Sequence, residues 1–206
     1  MKHLFIGIIA IAAITFAACN SNDNKSGKDS MSEMKSDTTK QASTSGDKDV
    51  KEISPTFANV DATAASSIKN IVDHYLHIKN ALANDNEREA ASGAKMLSEG
   101  LAKVDKSFLT PEQKKIYDEN EEDLKEHAEH ISKSNIDHQR EHFSMMSEDV
   151  YNLVKAFGGG RTLYHDHCPM ANNNKGAMWI SEMAEIKNPY MGSSMPTCGT
   201  VEEKIK

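Results

Sequence analysis

From Asp61 onward the apolar residues recur three and four positions apart, the spacing of one helix face. Ile68, Ile71, Val72, Tyr75, Leu76 and Leu82 form a first stripe, and Asn84-Asp85-Asn86 interrupts it with residues that favour turns and helix starts. Ala90, Ala94, Leu97, Leu101 and Val104 form a second. Thr110-Pro111-Glu112-Gln113 opens a third helix: Thr caps it, Pro suits the first turn, and Gln stands three residues after the cap. Its stripe contains Ile116, Leu124 and Ile131. A fourth runs from Ile136 through Phe143, Met146, Val150 and Leu153 to Phe157, where Gly158-Gly159-Gly160 stops it. Four helices with short connections predict an all-α fold, an up-down four-helix bundle over residues 61–158.

Neither helical nor strand periodicity is clean in residues 159–206, which hold Pro169, Pro189, Pro196 and Trp179. The expectation is an irregular Cys/Met-rich segment packed on the bundle, with one short helix from Ala177 to Ile186. On the amino-terminal side, Asn20 to Glu52 contains only Met31, Met34, Ala42 and Val50 as apolar residues, too few to bury a core, so residues 19–60 read as a flexible tether.

Residues 1–18 begin with Lys2, continue as an apolar run from Leu4 to Phe16, and end in Ala17-Ala18 before Cys19. The run is short of the roughly 20 residues of a membrane span but suits the core of an export signal. Small residues before a Cys resemble the lipobox of bacterial lipoproteins, although Phe16 stands where Leu is usual. That resemblance implies cleavage ahead of Cys19, lipidation of its thiol, and attachment to the envelope of a Gram-negative bacterium, on the periplasmic face or at the outer membrane.

The 206 residues include 24 Lys+Arg against 31 Asp+Glu, net charge −7, with no basic cluster, which argues against nucleic acid as a partner. Eleven Met, nine His and three Cys are the inventory of a soft-metal protein. With Cys19 assigned to the anchor, Cys168 and Cys198 lie in an oxidising compartment.

Two groups of residues are candidates for metal chemistry. His74 and His77 lie opposite the stripe of the first helix and face solvent. His127 with His130, and His138 with His142, have spacings that present two imidazoles from one helix face, and bind Zn or Cu only if a facing helix completes the set. Otherwise they are ordinary boundary histidines. The second group is Tyr164-His165-Asp166-His167-Cys168-Pro169-Met170 together with Met195 and Cys198. Thiolate and thioether ligands select Cu(I) or Ag(I), and Met178, Met183 and Met191 add further thioethers. Against this stands a Cys168–Cys198 disulfide, with the Met-rich face merely docking on the bundle. Nothing marks an oxyanion hole beside Cys168, and Gly158-Gly159-Gly160-Arg161 lacks the strand and Lys-Ser/Thr of a phosphate loop, so no enzyme is expected.

The tail segments Tyr-His-Asp-His-Cys-Pro-Met-Ala, Asn-Pro-Tyr and Met-Pro-Thr-Cys-Gly resemble the signature of an uncharacterised exported domain family, found as small lipoproteins and attached to periplasmic adaptor subunits of copper/silver efflux pumps. The resemblance extends from Ala62 to Val201 and includes Gln139, Arg140, Phe143 and Ser147 in the last bundle helix. It implies metal-linked roles for Cys168, Met170, Met195 and Cys198, while the family varies more at His165 and His167. The expected function is capture of Cu(I), or Ag(I), at this tail, for buffering or delivery to an efflux adaptor. The alternative is a non-metal interaction module with a disulfide-stapled tail, docking through Trp179, Asn188, Pro189 and Tyr190. A third possibility is zinc buffering by the helix histidines.

Overall fold

The structure is a computed structural model that describes residues 50–206; the expected signal segment, the expected lipidation site Cys19 and most of the expected tether lie outside the described residues. Four long helices occupy the predicted region: α1 (Ala62–Ala83), α2 (Glu87–Ala102), α3 (Pro111–Lys133) and α4 (Ile136–Phe157). Each starts where a side chain satisfies an otherwise unpaired backbone N–H. Asp61 accepts from the Thr63 amide, Asn86 from Glu89, and Asn135 from His138. At α3, Thr110 and Gln113 exchange reciprocal bonds in a capping box, with Pro111 in the first turn. Gly158 ends α4 at φ 76°, a left-handed conformation that costs glycine little.

The all-α expectation is corrected: the fold is mixed. Four strands, β1 (Lys51–Ile53), β2 (Leu163–Cys168), β3 (Ala177–Ser181) and β4 (Thr200–Ile205), form one sheet in the order β1-β4-β2-β3. β1 runs parallel to β4, while β4–β2 and β2–β3 are antiparallel. Thus residues 51–53, expected in the tether, pair with the far end of the chain. The expected helix at Ala177–Ile186 is instead β3, followed by irregular chain. A short turn, α5 (Ala171–Asn174), links β2 to β3 with Asn172, Asn173 and Asn174 all at positive φ.

The sheet shares the helical core. Trp179 and Ile180 are fully buried, and Tyr75 of α1 stacks on Phe143 of α4 at 4.9 Å. The Tyr75 hydroxyl accepts from the Ile180 amide at 3.0 Å and meets Ser147 Oγ at 2.8 Å, fastening α1, α4 and β3 at one point. Arg140 donates to the carbonyls of Pro189 and Leu82, tying the tail to the α1–α2 turn. Lys79, fully buried, reaches Glu182 at 2.9 Å.

Candidate metal centre

Only Ser134 and Asn135 connect α3 to α4, so the two helices run antiparallel and the last turns of α3 face the first turns of α4. His127 and His130 lie three residues apart on one helix, His138 and His142 four apart on the other, and residues at these spacings share a helix face. The hairpin brings all four together. The rings of His130 and His142 stack with centroids 4.0 Å apart, His138 meets His142 edge-on at 4.5 Å, and His127 lies 5.3 Å from His142.

His138 Nε2 is 3.4 Å from His130 Nδ1, and His127 Nδ1 is 3.1 Å from His142 Nδ1. Nitrogens bound to one ion at about 2.0–2.1 Å in tetrahedral geometry stand about 3.3 Å apart, so each pair has the spacing of one edge of such a site, and the parallel His130 and His142 rings, whose lone pairs lie in separate planes, must rotate to address a common ion. Ligand atoms of His130, His138 and His142 all lie within 4.8 Å of one another, and they are the one such group of three or more His, Cys, Asp or Glu residues among the described residues. Glu141 Oε2 sits 2.9 Å from His138 Nδ1. Accepting the Nδ1 proton there leaves the Nε2 lone pair turned toward His130, the usual way a carboxylate orients a metal-binding imidazole.

The electrostatics favour neutral ligands. Burial, helped by the neighbouring His130, His138 and His127, pushes His142 down to about 4. Burial likewise lowers His127. Asp149, beside His127, is pushed up to about 7 by burial and by Asp123 and Glu148.

The tail candidates are divided. Register with β3 places His165 and His167 on the sheet face of Ile180 and Met178, and Cys168 on the opposite face with Asp166, Ala177 and Trp179. The imidazoles turn to carboxylates: His165 Nδ1 lies 3.4 Å from Glu203, and His167 Nδ1 lies 3.5 Å from Glu202. A bulge makes Glu202 an extra residue in β4, which brings two consecutive Glu side chains toward the same two histidines. Burial lowers His165, opposed by Glu202 and Glu203.

Cys168 and Cys198 are free thiols whose sulfurs face each other at 2.6 Å. Cys168, followed by burial, raises the Cys198 thiol. Met170 and Met195 are exposed, at 44% and 38%. Met170 and Met191 line a cavity of about 480 Å³ whose other walls include Arg140 and Asn172 to Asn174. The structure therefore joins Cys168 to Cys198, keeps the backbones of Met170 and Met195 beside Cys198, and turns His165 and His167 to the other face of the sheet.

The residues expected to form a docking surface are interior. Trp179 and Asn188 are fully buried, and Tyr190 is 8% exposed. Asn188 accepts from the amides of Tyr190 and Met191 and donates to the Cys198 carbonyl, so its role is to shape the chain before Cys198. Sequence reasoning missed Glu141 and Asp149. The three-residue step from His138 to Glu141 was a visible signal, whereas Asp149 meets His127 only across the hairpin.

Comparisons with curated proteins and with solved structures find no match. A family profile begins within α1, covers the other three long helices and all four clustered histidines, and ends immediately before β2. Residues 71–162 match the family described as "Protein of unknown function (DUF3347)".

Proposed function

We propose that this protein is an extracytoplasmic metal-binding protein that holds a borderline divalent ion, Cu(II) ahead of Zn(II), at His130, His138 and His142. The observation carrying this reading is the convergence of three imidazoles from two helices within 4.8 Å. Imidazole suits copper and zinc alike, and divalent affinities at nitrogen sites rise to Cu(II) before falling at Zn(II). A ligand must be neutral to bind, and His142, at about 4, carries no proton to be displaced at neutral pH. As pH falls toward 4, protonation of His142 opposes the ion.

The extracytoplasmic setting rests on the leader-like residues 1–18 and on Cys19, whose expected lipid would anchor the chain to a membrane. The role that fits is buffering copper in the envelope and yielding it to a copper/silver efflux adaptor. The thiol pair then serves the fold: its oxidation would staple β2 to the chain before β4 across 30 residues of sequence.

Competition titration of the purified protein against chromophoric chelators tests the reading. One Cu(II) or Zn(II) per chain should bind to the wild type and to Cys168→Ser/Cys198→Ser with equal affinity, and His130→Ala should weaken it by at least about a hundredfold, more than loss of a supporting hydrogen bond costs. An affinity that follows the cysteines instead of His130 would overturn it.

A further inference from the structure

Asp149 is a mostly buried carboxyl of α4 beside the histidine cluster. Its Oδ2 is buried and has no hydrogen-bond partner among the described residues, and Asp123 and Glu148 add negative charge nearby. No Lys or Arg comes within 4.0 Å of it among the described residues, although Lys155 lines the same cavity; His127 Nε2 lies 3.9 Å from Oδ2. The other nitrogen of that ring, Nδ1, points into the cluster, 3.1 Å from His142 Nδ1. Side-chain exposure at this contact is 12% for His127 and 15% for Asp149, so solvent offers the carboxylate little compensation.

Resting on the three-histidine reading, we infer that His127 is the fourth ligand of the ion, bound through Nδ1, and that Asp149 is the positioning residue that accepts the Nε2 proton and fixes the ring. The two ring nitrogens lie on different edges of the imidazole, so one can face the ion while the other faces a carboxylate. A shift of about 1 Å turns the 3.9 Å approach into a hydrogen bond of ordinary length. Charge donated by the ion to the imidazole supplies the positive partner that Asp149 lacks. Glu141 does the same for His138, so each helix contributes one ligand held by a carboxylate of α4. His127 lies outside the trio whose ligand atoms are all within 4.8 Å of one another and must swing inward to join it; the site then becomes a closed set of four nitrogens, which suits storage of an ion better than catalysis at an open position.

The test compares purified wild type with His127→Gln, Asp149→Asn, Asp149→Glu and His130→Ala, titrated with Cu(II) and Zn(II), with circular dichroism confirming the helical fold of each variant. His127→Gln should weaken binding by at least about tenfold and remove one nitrogen from the hyperfine pattern of Cu(II) in electron paramagnetic resonance. Asp149→Asn should weaken it about 10–100-fold, and Asp149→Glu should recover part of that loss. ¹⁵N spectra of the loaded wild type should show His127 protonated at Nε2. If His127→Gln and Asp149→Asn bind like wild type while His130→Ala does not, this inference is overturned and the three-histidine site stands. If the wild type binds neither metal, both readings fall.

Discussion

The α3–α4 hairpin and the carboxy-terminal sheet both carry potential metal ligands and arrange them differently. The sheet segment is rich in ligand types along the sequence, with two His, two Cys and five Met between His165 and Cys198. Strand geometry scatters them: alternate residues face opposite sides, so His165 and His167 turn to Glu203 and Glu202 while Cys168 turns to Cys198. The hairpin holds only four histidines spread over 16 positions, yet helical spacing and a tight reversal gather them into one cluster. Density along the chain is a poor guide to proximity, and the periodicity of the element decides which residues meet.

The sharpest way to break this contrast is to alter each region alone. Replacing His130, His138 and His142 together by Ala should abolish divalent-metal binding in a competition titration and leave the helical signal in place, because His130 and His138 lie at the surface and only His142 is well buried. Trp179→Ala should do the reverse. It removes the largest fully buried side chain, in contact with Tyr190 and closely approached by Gly199, and should cost about 3–5 kcal/mol in denaturant unfolding while a folded remainder still binds metal. Metal binding lost with the tryptophan and retained without the histidines would invert the contrast.

A smaller effect probes the joint between the regions. Tyr75→Phe deletes the hydroxyl that serves the Ile180 amide and Ser147, leaving a buried N–H without a partner, and should cost about 1–3 kcal/mol. A cost near zero would mean that the sheet does not depend on this contact.

A last effect is a pH dependence. Burial pushes Asp166 up to about 8, against the opposing influence of Lys79 and Trp179, and both its oxygens lack partners. The folded state therefore holds a proton that the unfolded chain, with an ordinary value of about 3.9, releases. Stability should fall as pH rises from about 4 to about 8 and then level off. Asp166→Asn should flatten this part of the curve in thermal melts at pH 5, 6.5 and 8; an unchanged slope would show that the carboxylate is already charged in the fold.

Much of the helical half was legible in the sequence because its signals are local. The Thr110–Gln113 capping box, Asn86 and Gly158 stand at the ends of the helices they were expected to bound. The sheet was not legible. β1 is three residues long, β3 is buried at four of its five positions and so shows no alternation, and the bulge at Glu202 disrupts the pattern in β4. Pairing β1 with β4 joins residues 152 apart, a contact no local pattern reports. The histidine spacings were visible, with the condition that a facing helix complete the set. The tail reading joined Cys168 to its neighbouring histidines by sequence distance, which strand alternation undoes.

The most direct test of the central claim is X-ray absorption at the metal edge of the purified protein loaded with one equivalent of Zn(II) or Cu(II). The account predicts a first shell of nitrogen at about 2.0–2.1 Å with the outer-shell scattering of imidazole and no sulfur. A sulfur shell near 2.3 Å would place the ion at the cysteines of the tail and contradict it.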